Sequence, residues 1–77
     1  YIEIDDQHAI FEVEIPEEWI GKSIGELDIR RKFGINILGI KHSGKTNVSI
    51  TPDTVLSQKA TILALGEYKA LQKCFRI

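Results

Sequence analysis

Arg30, Arg31 and Lys32 form a run of three cations directly before Phe33-Gly34-Ile35-Asn36-Ile37-Leu38-Gly39-Ile40. Guanidinium groups grip phosphate oxygens in a planar fork, so an arginine beside an apolar wall suits an anionic, partly apolar ligand. Only one of Arg30 and Arg31 need face such a ligand, and the other can keep a turn soluble. Asn36 interrupts an otherwise apolar strand. Its amide both donates and accepts, which suits the edge of a nucleobase or a ribose, and equally suits a bridge to neighbouring backbone. Ile24, Ile29 and Ile35 can supply an apolar wall or pack in the core. Pro52 can close a pocket with its rigid ring or simply set a turn.

The other reactive side chains form no recognisable catalytic set. His8 precedes a strand and His42 sits at a hairpin tip, neither beside a nucleophile. Cys74 reads as a small hydrophobe on a terminal helix. Glu17-Glu18 reads as a solvated acidic turn. Ser43-Gly44-Lys45 is too short for a phosphate-binding loop. Two histidines and one cysteine at unrelated spacings do not make a zinc site. The chain is therefore expected to be neither an enzyme nor a metalloprotein.

These groups must be positioned by a small framework. A chain of 77 residues makes one domain, 1–77, with a limited core. With a single cysteine it has no internal disulfide, which points to an intracellular protein. No apolar run approaches the roughly 18 residues of a membrane span. A start without methionine or a signal-peptide pattern reads as a fragment of a longer protein. The formal net charge of -1 argues against a general nucleic-acid surface but leaves room for a local cationic pocket.

Alternation of Ala9, Phe11, Val13 and Ile15 against Glu12 and Glu14 predicts a half-buried strand, closed by Pro16. Ile2 and Ile4 suggest a short strand before it. Ser23 and Glu26 fit a capping box opening a short helix that ends near Leu27 or Asp28. Ile29-Arg30 then leads into a loop or further turn. Ile35 to Ile40 predicts an interior strand, His42 to Lys45 a turn, and Val48 with Ile50 an exposed return strand. Val55-Leu56 is expected to tuck into the core. Thr61 to Leu65 predicts a buried strand, and Glu67 to Phe75 a helix that presents Tyr68, Leu71 and Phe75 on one side. The fold class is α/β of the α+β type: a small, mostly antiparallel sheet packed with short helices.

Lys22-Ser23-Ile24-Gly25-Glu26-Leu27-Asp28-Ile29-Arg30-Arg31-Lys32-Phe33-Gly34-Ile35-Asn36-Ile37-Leu38-Gly39-Ile40 resembles the start of the TrkA-C, or RCK-C, regulatory domain. Asp53-Thr54-Val55-Leu56 and Thr61-Ile62-Leu63-Ala64-Leu65-Gly66, followed by Leu71, resemble its second half. The likeness runs from about Phe11 onward and is nearest to the KtrA-type regulatory subunits of bacterial potassium uptake. One departure is local: the family often has Gly-Asp before its later strand, where this chain has Lys59-Ala60-Thr61.

The resemblance implies a homodimeric, cytoplasmic module joined to an N-terminal Rossmann-type domain and held at the inner face of the cell membrane by a potassium channel or transporter. No glycine-rich dinucleotide fingerprint is present, so ATP, ADP or NAD would belong to that other domain. The resemblance implies cyclic di-AMP as ligand, with reduced potassium uptake as the outcome. It assigns Ile24, Ile29, Arg30, Asn36 and Pro52 as contacts, with Arg30 on phosphate, Asn36 making a polar contact, and Arg31 as a lesser neighbour. A ligand-independent assembly domain, or a sensor of another small ligand, is the alternative.

Overall fold

Glutamates at 12 and 14 face solvent while Ala9, Val13 and Ile15 are buried, so the first long strand places one face on the core. This strand, β2 (His8–Glu14), follows a two-residue β1 (Ile2–Glu3) in a computed structural model that describes residues 1–77. After Pro16 a 3-10 turn, Glu17–Trp19, buries Trp19 against the rings of Phe33 and Phe75. There follow α1 (Ile24–Leu27), α2 (Ile29–Phe33), β3 (Asn36–His42), β4 (Lys45–Asn47), β5 (Thr61–Glu67) and α3 (Tyr68–Phe75).

The strands form one sheet in the order β1-β2-β5-β3-β4, antiparallel at every pairing. The last strand in sequence thus lies at the centre, flanked by β2 and β3. Ile62 and Ala64 point from it into the core, and Leu71 of α3 is fully buried with them. The core also holds Ala9, Val13, Ile15, Trp19, Ile29, Ile35, Leu56 and Ala60. Full burial of a side chain such as Leu71 contributes about 1.5–3 kcal/mol before entropy is counted.

Several expectations need correction. Of the loop or further turn expected after Leu27, Ile29–Phe33 is the turn, and it is helical. Arginine and lysine are good helix formers. Gly34, with φ of 70°, ends the turn in the left-handed conformation that glycine adopts without strain. The return strand is Lys45–Asn47, not the Val48 to Ile50 stretch. Ser43 and Gly44 both have positive φ, giving a two-residue hairpin tip that fixes His42 opposite Lys45. The ladder ends at Ile40 opposite Asn47, leaving Val48 outside it and exposed. Leu56 is fully buried as expected, but Val55 faces outward. β5 also runs two residues further, to Glu67, so α3 begins at Tyr68.

The segment around Lys59-Ala60 keeps a tight turn. Lys59 occupies φ of 68°, and Ala60 is buried beside the start of β5.

Candidate functional site

The capping box at Ser23 starts α1 with two reciprocal bonds. Glu26 N donates to Ser23 Oγ at 3.2 Å, and Ser23 N donates to Glu26 Oε1 at 2.8 Å. Asp28 then adopts φ 52°, ψ 46°, which both ends α1 and starts α2. This single left-handed residue turns the chain between the two short helices. Ile29, only 2% exposed, pins α2 to the core. The next three side chains, Arg30, Arg31 and Lys32, radiate into solvent.

The two arginines are not equivalent. Arg31 Nε lies 3.4 Å from Asp28 Oδ2, one turn back. Arg30 makes no ion pair or side-chain hydrogen bond within the chain. An exposed pair such as Arg31–Asp28 is weak, but it biases where that guanidinium points. Arg30 is the uncommitted charge.

Asn36 opens β3 on the outer face of the sheet, away from the core. It is opposite Leu65, Leu65 is opposite Ile10, and Ile10 is opposite Ile2, so one cross-strand row runs Asn36, Leu65, Ile10, Ile2. The Asn36 side chain makes no hydrogen bond within the chain, so it does not serve as a bridge to neighbouring backbone. It lines a shallow groove of about 480 Å³ with Gly34, Leu65, Asp5 and His8. A β-bulge between Ile37 and Gly39 displaces Leu38 at the next position along β3.

Ile24 and Pro52 are brought together by backbone. Leu56 pairs with Gly21-Lys22: Gly21 N donates to Leu56 O at 2.8 Å and Leu56 N donates to Lys22 O at 2.9 Å. Ile24 N then donates to Thr54 O at 2.9 Å, and Gly25 N to Pro52 O at 2.8 Å. The orphan amides of α1 are thus satisfied by the 51–56 loop as well as by its cap. Gly25 allows this approach, since a Cβ there would stand 3.0 Å from both Pro52 Cβ and Pro52 O. The sequence offered little sign of this seam, because neither strand of it alternates. The small residue at Gly25 was its one signal.

Ile24 is half-buried, Pro52 is exposed, and Ile29 lies beneath the surface. The larger grooves of the chain are each lined by at most one of Ile24, Ile29, Arg30, Arg31, Asn36 and Pro52. None of these grooves gathers the six residues: Ile24 and Pro52 meet at the seam, Ile29 to Arg31 share α2, and Asn36 stands on β3.

Other titratable groups serve local structure. Asp5 accepts from Gln7 N and His8 N, both at 2.8 Å, and lies 2.9 Å from His8 Nδ1. The Gln7 amide, then His8, hold its carboxyl below the usual aspartate range. His42 Nδ1 is 3.3 Å from Ser43 Oγ at the hairpin tip. Burial, then the nearby Glu18, pushes the half-buried Cys74 thiol up, away from a reactive thiolate. No three His, Cys, Asp or Glu side chains gather as metal ligands, and no helix is long and apolar enough to cross a membrane.

A family model described as the TrkA-C domain matches residues 9–77. Ktr system potassium uptake protein A of Bacillus subtilis (strain 168) is 30% identical over 73 residues, covering 95% of this chain and 33% of that protein. The RCK C domain of the potassium transport protein KtrA, solved in complex with cyclic diadenosine monophosphate, superposes with a TM-score of 0.79 at 34% identity, covering 88% of this chain and 80% of that one. The RCK_C domain dimer of S. agalactiae BusR, also in complex with c-di-AMP, gives 0.70 at 32% identity, covering 91% and 90%. The chain spans about a third of the length of the first curated relatives it matches.

Proposed function

Because the chain belongs to the TrkA-C domain family, we propose that it is a homodimeric regulatory domain that binds cyclic di-AMP. In the longer protein that contains it, the domain follows a Rossmann-type RCK domain. It acts on a membrane potassium channel or transporter from the cytoplasmic side and lowers potassium uptake when the ligand is bound.

The observation that carries this reading is the uncommitted guanidinium of Arg30 on α2, in a chain like two domains solved with that ligand at 34% and 32% identity. Cyclic di-AMP has two equivalent halves and two phosphates. A two-fold dimer offers every contact twice, so two Arg30 side chains meet two phosphates across the dimer axis. Asn36 meets a base edge or ribose, Ile24 and Pro52 form apolar wall, and Ile29 backs α2 from the core. Arg31 contributes longer-range positive charge. The dispersed contact points of one subunit fit a site completed only by the second. Ligand binding then favours one arrangement of subunits over another through differential affinity.

Calorimetry with cyclic di-AMP tests the reading. The wild-type domain is expected to bind one ligand per dimer. Arg30→Ala is expected to weaken binding at least about tenfold, roughly 1.4 kcal/mol, while leaving the melting temperature nearly unchanged because Arg30 is exposed. A folded, dimeric wild-type domain that does not bind sinks the ligand. It leaves the assembly reading, in which the exposed apolar side chains Ile2, Leu38 and Val48 serve contact between subunits or domains alone.

A further inference from the structure

Between α2 and α3 runs an open groove of about 870 Å³ that none of the residues assigned above lines. Its floor is Phe33, Ala70 and Cys74, and its rim includes Lys32 from α2 with Lys69 and Lys73 from α3. Lys69 and Lys73 are four apart on one helix and share a side of it. None of the three lysines forms an ion pair, and no carboxylate lines the groove. The chain as a whole has 10 basic and 11 acidic residues, so this is local segregation of charge rather than a basic protein.

Like charges at this spacing repel, and no ion pair within the chain offsets them. The floor is preformed. Phe33 is 39% exposed, yet its ring lies 5.7 Å from that of the buried Trp19, and Trp19 in turn meets Phe75. An apolar floor fixed to the core, edged by unpaired ammonium groups, fits an amphipathic anionic partner. The size admits several side chains rather than a single ion. Lysine ammoniums are separate point charges without arginine's bidentate fork, which suits carboxylates spread along a peptide better than one gripped phosphate.

We propose that the α2–α3 groove docks an acidic peptide segment of another domain or protein, with an apolar side chain seated on Phe33 and carboxylates facing Lys32, Lys69 and Lys73. The contact is separate from the ligand site and does not depend on it.

Fluorescence anisotropy with a labelled 12-residue peptide of glutamate and leucine, the leucines at helical spacing, provides the test. Saturable binding to the wild-type chain is expected. Affinity should fall at least tenfold for Lys69→Glu/Lys73→Glu and for Phe33→Ala. The double variant should instead bind the matching lysine–leucine peptide, a gain of affinity that misfolding cannot imitate. Lys32→Glu, on the other helix, should weaken binding independently. Amide shift changes should cluster on α2 and α3, and cyclic di-AMP titration of the double variant should match wild type. Absence of saturable peptide binding overturns the proposal, as does equal binding by wild type and the double variant. Binding to anionic phospholipid vesicles without binding to the peptide also overturns it, in favour of a membrane surface.

Discussion

The sheet with α3 and the segment that carries the candidate contacts are held by different forces. In the first, Ile62, Ala64, Leu71 and Ala9 are removed from water, and each strand of the β2-β5-β3 centre is paired. In the second, α1 and α2 are single turns whose order comes from the Ser23 cap, the left-handed Asp28 and the backbone seam to residues 52–56. Ile29 and Leu56 tie that segment into the core, with Ile24 and Leu27 half-buried against it. Burial builds the framework, while hydrogen bonds and turn geometry aim the side chains. Substitutions in the first region should therefore cost stability, and those in the second should cost recognition before stability.

Leu71→Ala tests the first half of this contrast most severely. It empties a fully buried site between α3 and the sheet, and loss of about 2–5 kcal/mol is expected from transfer and cavity terms together. Urea denaturation followed by circular dichroism measures it. A loss below about 1 kcal/mol would mean that α3 is peripheral and the contrast between regions is wrong.

Gly25→Ala tests the second half. The new methyl would stand 3.0 Å from Pro52 Cβ and O, so either α1 or the 51–54 turn must move. Overpacking costs about 1–3 kcal/mol, partly offset by the better helix propensity of alanine, about 1 kcal/mol. The expected net loss is about 1 kcal/mol, smaller than at Leu71. Because the seam positions both Ile24 and Pro52, cyclic di-AMP affinity should fall by more than the stability loss alone implies. Unchanged affinity would detach the seam from recognition.

This division also explains what could be read in the sequence. Alternation in Ala9 to Ile15 and the apolar run at Thr61 to Leu65 reflect burial, and burial leaves a period in the sequence. The capping box at Ser23 and Glu26 was legible because it is a local chemical pattern. The α2 turn was not, since Arg30-Arg31-Lys32 has no apolar period and its clearest mark was the single Gly34. The seam between residues 21–25 and 52–56 joins distant backbone with almost no side-chain signature. The β3–β4 register followed the Ser43-Gly44 tip, which outranked the alternation of Val48 and Ile50. Separate contact points could be named from the family resemblance, but their dispersal over one subunit needed the fold.

Lys59→Gly sharpens the comparison from the side of the framework. Lysine at φ 68° occupies a conformation that costs a non-glycine residue about 1–2 kcal/mol. Glycine relieves that strain but gives the unfolded chain more freedom, so a net gain of about 0.5 kcal/mol is expected. The turn leads through the buried Ala60 into β5, and a small rise in melting temperature is the readout. A fall would show that the lysine side chain has a stabilising role there. Ligand affinity should not move, since the turn belongs to neither the α1–α2 segment nor its seam.

The smallest effect concerns a polar tie on the outer face of the sheet. Glu12 accepts from Thr61 Oγ1 at 2.7 Å and from Lys41 Nζ at 3.4 Å, joining β2, β5 and β3. The Thr61 hydroxyl, followed by Lys41, holds the Glu12 carboxyl below its ordinary pKa of 4.5. A folded-state pKa below the unfolded one means that the stabilisation is fully present above the ordinary value. It is lost as pH falls through the lowered one. Glu12→Gln should therefore differ most from wild type near neutral pH, and the gap should narrow as pH drops below about 4.5. Part of the acid sensitivity should persist in the variant, because Asp5 is lowered in the same direction at the other end of β2. Urea midpoints measured from pH 7 to pH 3 give the comparison, using about the range over which carboxylates protonate. A gap of equal size at both ends would assign the effect of the substitution to shape rather than charge. The outer face would then resemble the seam, ordered by geometry, and not a charge-assisted brace across the framework.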